Sequence, residues 1–252
     1  MKLCWFTTGR DKEAFTLLEE VVDAIEGGVI EGSIAAVFMN RERGESAPSD
    51  EIIAYVEKKS LPLVTLSSKR FLAERNLSLA EGRDLFDREV KKRITPFNFD
   101  AIFLAGYMLI LSSVLHESYP VLNLHPSLPG AYKGKWEDVI RDTIKDGERS
   151  FGAMVHMVEA VLDEGAPVAY VKLTLEGPEI DELYRRSSAG DRAAEDQLFA
   201  LMREREFGIE IPLIVKTLTL LSKGSIRIDG SRVFFDGKPI EGGVDITSEV
   251  LG

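Results

Sequence analysis

Apolar and polar positions follow two rhythms that trade places along this chain. Lys2–Thr7 is an apolar run ending at Thr7-Thr8-Gly9, the pattern of a buried strand. Asp11 is suited to cap a helix, and Phe15, Leu18, Val22 and Ile25 then fall at helical spacing until Gly27-Gly28 closes the pattern. Ser33–Met39 predicts a second strand, residues 40–49 a charged loop, residues 51–60 a helix and residues 62–66 a third strand. Leu79–Ile94 predicts a helix with both charge signs on its outer face. Residues 101–105 (AIFLA) are apolar on both faces, the mark of a central parallel strand, and residues 121–124 (VLNL) predict the next one. This alternation predicts an α/β fold with a doubly wound, mostly parallel, Rossmann-like sheet.

The second half changes character. A helix is expected over residues 135–146 and strands over 152–158 and 167–175. Residues 179–205 are charged, with little hydrophobic regularity before Gln197; they predict an excursion ahead of a helix from about residue 195 to 222. Residues 227–235 alternate around Asp229-Gly230, which predicts a C-terminal β-hairpin. No repeat, low-complexity tract or linker stands out, so a single domain over residues 1–252 is expected. Within it, two halves meet at about residue 120, 1–120 and 121–252.

Composition narrows the chemistry. With 42 acidic against 31 basic residues, the 252-residue chain has a formal net charge of −11, which disfavours nonspecific binding to nucleic acid or anionic membrane. The single Cys4 allows neither an internal disulfide nor a cysteine-based zinc site. No carboxylate and histidine cluster has metal-ligand spacing, so no metal is expected. The first apolar stretch is too short for a signal peptide or a membrane span, and a cytoplasmic, reducing location is expected. Any histidine-dependent mechanism must use His116, His125 or His156.

The informative segment is N-L-H-P-S-L-P-G, residues 123–130. Residues i and i+2 of a strand share a face, so Asn123 and His125 project together at a carboxyl end, where open α/β sheets bind ligands. Pro126 cannot continue the ladder, which sets both polar groups at the rim. Two such donors can stabilise an oxyanion, at about 2.7–4 kcal/mol per donor. Read from spacing alone, a strand-end pair that only satisfies turn backbone is the commoner case. Asp163, before Glu164-Gly165, reads alone as a turn residue. His156 reads as a core or supporting histidine, His116 as surface and Cys4 as a small buried hydrophobe.

That segment, with L-A-G-Y-M-L-I-L before it (104–111) and V-H-M-V-E-A-V-L-D-E-G-A-P-V after it (155–168), resembles the folate-dependent formyltransferase family, most closely its purine-synthesis members. The likeness runs from Leu3 to about Leu175, resumes at Ile211-Pro212-Leu213-Ile214, and includes residues 230–240. The resemblance implies formyl transfer from 10-formyltetrahydrofolate to an amine, glycinamide ribonucleotide in those members. It implies Asn123 as oxyanion-binding residue, His125 as catalytic histidine and Asp163 as catalytic aspartate. Asp163 would favour the charged imidazole and relay the amine proton through water. It also implies folate-wall roles for Met108, Leu109, Leu111, Val158 and Leu162, with Leu109 standing where those members have an arginine.

The main departure is the first turn. Purine-synthesis members hold the substrate phosphate on a glycine-rich S-G-N-G-S-N loop; this chain has Thr8-Gly9-Arg10-Asp11-Lys12-Glu13. Thr8, Gly9, Arg10 and Lys12 are therefore expected to hold phosphate partly through side-chain charge, with solvated charges at a capped helix start as the alternative. Glu206 matches, after a one-residue shift, a glutamate on the substrate amine. The expected partners are small molecules, a phosphorylated amine and a folate, with the chain a monomer or homodimer. Alternatives are a formyltransferase for another amine such as an amino-sugar nucleotide, and a non-catalytic folate- or nucleotide-binding homologue. Formylation of methionyl-tRNA and formyltetrahydrofolate hydrolysis rank lower, since those relatives carry extra domains.

Overall fold

A computed structural model describes residues 1–252. The chain divides into two compact units. The first comprises residues 1–123, 157–161 and 221–223, the second residues 124–156, 162–220 and 224–252.

In the first unit, β1 (Lys2–Thr7), α1 (Lys12–Glu26), β2 (Ser33–Met39), α2 (Ala47–Lys58), β3 (Leu63–Thr65), α3 (Ser68–Ala73), α4 (Leu79–Ile94), β4 (Ala101–Leu104) and α5 (Ser113–His116) lead to β5 (Val121–His125). Its strands neighbour one another in the order β3-β2-β1-β4-β5, all parallel. The order reverses between β1 and β4, so the crevice at their carboxyl ends is where a ligand is expected. Trp5 stacks on Phe103 at 5.2 Å between ring centroids, and Phe6, Phe38, Phe86 and Tyr107 pack a dense aromatic core. Cys4 lies inside β1 with no exposure, and burial pushes its thiol up to about 12.

In the second unit, β6 (Ser150–Met157) pairs antiparallel with β7 (Pro167–Thr174), which pairs parallel with β11 (Val244–Asp245). Helices α6 (Trp136–Lys145), α7 (Pro178–Ser188) and α8 (Arg192–Ser222) bury Ile140, Ile144, Ile180, Tyr184, Leu198 and Met202 with Phe151 of β6 and Leu175. Strands β8 (Ile226–Asp229), β9 (Arg232–Phe235) and β10 (Lys238–Ile240) form a separate antiparallel sheet, and α9 (Thr247–Leu251) ends the chain. The fold is the mostly parallel α/β arrangement with a C-terminal hairpin that the strand and helix rhythm predicts.

Three local expectations change. The loop over residues 40–49 ends early because α2 begins at Ala47, with Pro48 in the first turn, where a missing N–H costs nothing. The short helix α3, capped by Ser67 accepting from Arg70 N, stands where no element was expected. The irregular excursion over residues 179–205 is instead helical, as α7 and the start of α8.

Candidate active site

β5 delivers His125 to its carboxyl end, where the side chain is 3 % exposed. His125 Nε2 lies 3.0 Å from the Tyr132 carbonyl oxygen. A carbonyl only accepts, so this contact requires the proton on Nε2. On the other side of the ring, Nδ1 faces Asp163 Oδ2 at 3.7 Å. The second carboxylate oxygen, Asp163 Oδ1, faces His156 Nε2 at 3.6 Å. Both distances exceed hydrogen-bond length, so the carboxylate sits between two imidazoles as a charge rather than as a close partner of either. The two rings meet edge to face, with centroids 5.9 Å apart.

Local structure explains why these groups converge. His156 is the penultimate residue of β6, and the chain then turns so that Asp163 comes back toward it. Asp163 adopts φ +55°, a left-handed conformation that aspartate tolerates better than most residues but that still stores strain. Its Oδ2 also accepts from Gly134 N at 2.9 Å, and neighbouring Glu164 pairs with Lys133. The segment between β5 and α6 is thus tied to the Asp163 carboxylate at Gly134, to neighbouring Glu164 at Lys133 and to His125 at Tyr132. Ser127 Oγ accepts from Tyr132 N at 3.0 Å, and Tyr132 Oη donates to Asp146 at 3.0 Å. Burial, and next that hydrogen bond, push the Tyr132 phenol up to about 12.

Asn123 lies half-buried two residues before His125 on the same strand, registered against Leu104 of β4. Glu206 of α8 is only 1 % exposed. It and Glu210 share Arg203, at 3.2 and 2.7 Å, and the guanidinium lies 4.7 Å over the Trp136 ring. Glu206 also lines a small cavity with Ser127, Leu128, Tyr132 and Gly152, which places it behind the segment that follows His125.

The first unit holds the remaining expected residues. Thr8 N donates to Gly106 O at 3.0 Å, and Thr8 Oγ1 accepts from Met108 N at 2.9 Å, tying the turn after β1 to the turn after β4. Gly9 has φ +60°, and a Cβ there would lie 2.8 Å from Met39 Cε and 3.1 Å from Ser49 Cα. Thr8 and Arg10 line a cavity of about 980 Å³ with Asn40, Arg41, Ser46, Lys69, Met108 and Leu109; Lys12 is exposed as the first residue of α1. Met108 is exposed, Val158 is half-buried, and Leu111 is packed into the core, where it presents little surface. In the second unit, Leu162 is exposed. His116 is half-buried at the end of α5.

Sequence reasoning missed Arg41 and the backbone of Tyr132 and Gly134. Arg41 had a signal, since it follows the carboxyl end of a parallel strand, where this class of sheet places ligand contacts. The backbone partners had none, because any residue type supplies the same carbonyl and N–H.

The family described as formyl transferase matches residues 5–194. The phosphoribosylglycinamide formyltransferase of Escherichia coli K12 is 26 % identical over 223 residues, covering 88 % of this chain and 89 % of that protein. The enzyme of the same name from Haemophilus influenzae is 27 % identical over 229 residues, covering 89 % and 91 %. Among solved structures, the phosphoribosylglycinamide formyltransferase of Coxiella burnetii in complex with CHES superposes with a TM-score of 0.73, at 22 % identity, over 97 % of this chain and 98 % of that one. With the family matched over most of its length and a histidine–aspartate pair at the end of β5, this chain belongs to the formyl transferase family.

Proposed function

We propose that this protein transfers a formyl group from 10-formyltetrahydrofolate to the amine of glycinamide ribonucleotide. The observation that carries the proposal is the buried His125–Asp163–His156 arrangement at the carboxyl end of β5, in a chain of this family. The folate supplies the formyl carbon that the amine attacks. Negative charge then develops on the formyl oxygen, and Asn123 with the Nε2–H of His125 are the donors suited to hold it. That N–H is engaged by the Tyr132 carbonyl, so the substrate oxygen must take the carbonyl's place. Asp163 faces Nδ1, balances positive charge on the ring and takes up or relays the proton that the amine loses; collapse of the tetrahedral intermediate then breaks the bond between the formyl carbon and the folate nitrogen, which leaves with that proton as tetrahydrofolate.

The surfaces suit both substrates. Met108, Ile110 and Val161 of the first unit expose apolar side chains, the kind of surface that a flat aromatic co-substrate covers. Met108, Leu109, Val158 and Leu162 are proposed as its walls. The turn of Thr8, Gly9, Arg10 and Lys12 is proposed to face the phosphorylated amine; Glu206, buried and paired with Arg203, is not open to a substrate and supports the segment after His125 instead. No helix is long and apolar enough to cross a membrane.

The test is to supply both substrates to the purified protein and follow tetrahydrofolate release. His125→Ala should lower kcat by a factor on the order of 10²–10⁴. Turnover with an amino-sugar nucleotide and none with glycinamide ribonucleotide would overturn the choice of acceptor. Undiminished turnover by His125→Ala would overturn the role of the histidine.

A further inference from the structure

The amino end of α1 already carries an anion of its own. Asp11 caps the helix by accepting from Ala14 N at 3.0 Å, and its Oδ2 pairs with Arg10 Nε at 3.0 Å. A carboxylate in that position uses donors that a phosphate would need and repels a second negative charge. The amino end of α2 differs in how its groups are used. Its N-cap residue Ser46 makes no side-chain cap bond, its first-turn carboxylate Asp50 accepts from Gly44 N at 2.8 Å, and Pro48 has no N–H, so this end meets an anion through side chains rather than through backbone donors. Arg41 lies across it instead, with Nη1 donating to Ser46 Oγ at 3.2 Å, Ser49 Oγ at 3.4 Å and Gly9 O at 3.4 Å.

All three of those partners are neutral. Among the arginines lining the large cavity of the first unit, Arg10 pairs with Asp11 and Arg70 with Glu42, while Arg41 has no carboxylate partner. A half-buried guanidinium without a counter-charge is costly unless something anionic joins it. Asn40, the next residue back, is 4 % exposed and spends its amide N–H on Ser68 Oγ at 3.2 Å. The charge this wall offers an anion is therefore that of Arg41 itself.

We infer that Arg41 and the uncapped amino end of α2 anchor the phosphate monoester of the acceptor substrate, in place of the amino end of α1. This rests on the reading that the acceptor is a phosphorylated amine. A phosphate monoester carries about −1.5 to −2 charges near neutral pH and matches the planar fork of a guanidinium. The Ser46 hydroxyl, which now accepts from Arg41, lines the same cavity, while fully buried Ser49 donates to the Gly9 carbonyl and holds that turn in place. Exposed Lys69 on the cavity rim adds attraction at longer range.

Ribose 5-phosphate, titrated calorimetrically into the purified protein, tests this without requiring turnover. Arg41→Ala should weaken binding by about 10–100-fold, the scale of a charge-assisted hydrogen bond, and Arg41→Lys should recover part of the loss. Ser46→Asp should also weaken binding, because it sets a carboxylate at the amino end of α2; aspartate is a good N-cap, so the melting temperature should hold. Lys58→Ala, at the far end of α2, serves as the control for lost charge. The assignment is overturned if wild type shows no saturable binding, if both Arg41→Ala and Ser46→Asp bind as wild type, or if Lys12→Ala weakens binding and Arg41→Ala does not. Arg41-dependent binding without formylation of glycinamide ribonucleotide would sink the acceptor reading and leave the anion site standing.

Discussion

Asp163 is asked to do two things at once. It faces two imidazoles through its two oxygens, and it holds a left-handed backbone conformation that most side chains resist. Asparagine tolerates that conformation as well, so Asp163→Asn removes the charge with little disturbance of the turn. It should lower kcat by about 10²–10⁴-fold while leaving the circular dichroism spectrum and melting temperature near wild type. Undiminished kcat would show that the carboxylate has no part in the reaction. The strand-end pair Asn123 and His125 was legible in the sequence because period two along a strand is a local rule. The approach of Asp163 to His156 was not, since it depends on how β6 ends and how the following turn folds back. Arg41 carried only the faint signal of its place just after β2, and among the charges of that loop nothing else set it apart.

Among the elements, β6 shows how tightly one position can be constrained. A Cβ on Gly152 would stand 2.0 Å from the carbonyl oxygen of Val171 on β7, and 3.1 Å from Leu128 in the segment after His125. Gly152→Ala should therefore cost about 3 kcal/mol or more, read from denaturant unfolding, because backbone rather than a flexible side chain must move. Helix α4 carries a different constraint. Asp87 is buried and accepts from Ser112 N at 2.6 Å, and burial raises its carboxyl above the usual range. A raised carboxyl favours the protonated form in the fold, so its contribution is fullest below the ordinary aspartate value and is lost as pH rises through the raised one. Asp87→Asn should melt higher than wild type at pH 7, and the gap should close on acidification. The helices that escaped the sequence pattern share a cause. In α7 and the start of α8, Ile180, Tyr184, Ala194, Leu198 and Met202 are buried about one per turn, a stripe too narrow to stand out among charged neighbours.

For the whole molecule, the excess of acidic residues sets a background that each local site must overcome. A net charge of −11 repels itself in the folded state. Raising ionic strength from about 0.01 M to about 0.1 M shortens the screening length from roughly 30 Å to roughly 10 Å. The melting temperature should rise over that interval, since exposed ion pairs such as Arg43–Glu57 are worth too little to reverse the trend. A melting temperature that falls instead would mean that surface pairing outweighs self-repulsion. Buried Cys4 has a practical corollary at this scale. Its thiol is shielded inside β1 and held protonated at ordinary pH, so the native surface offers no thiol to a maleimide. A cysteine installed at exposed Lys133 would be a unique chemical handle, and a fluorophore or spin label there would report directly on the segment that now holds His125 and Asp163.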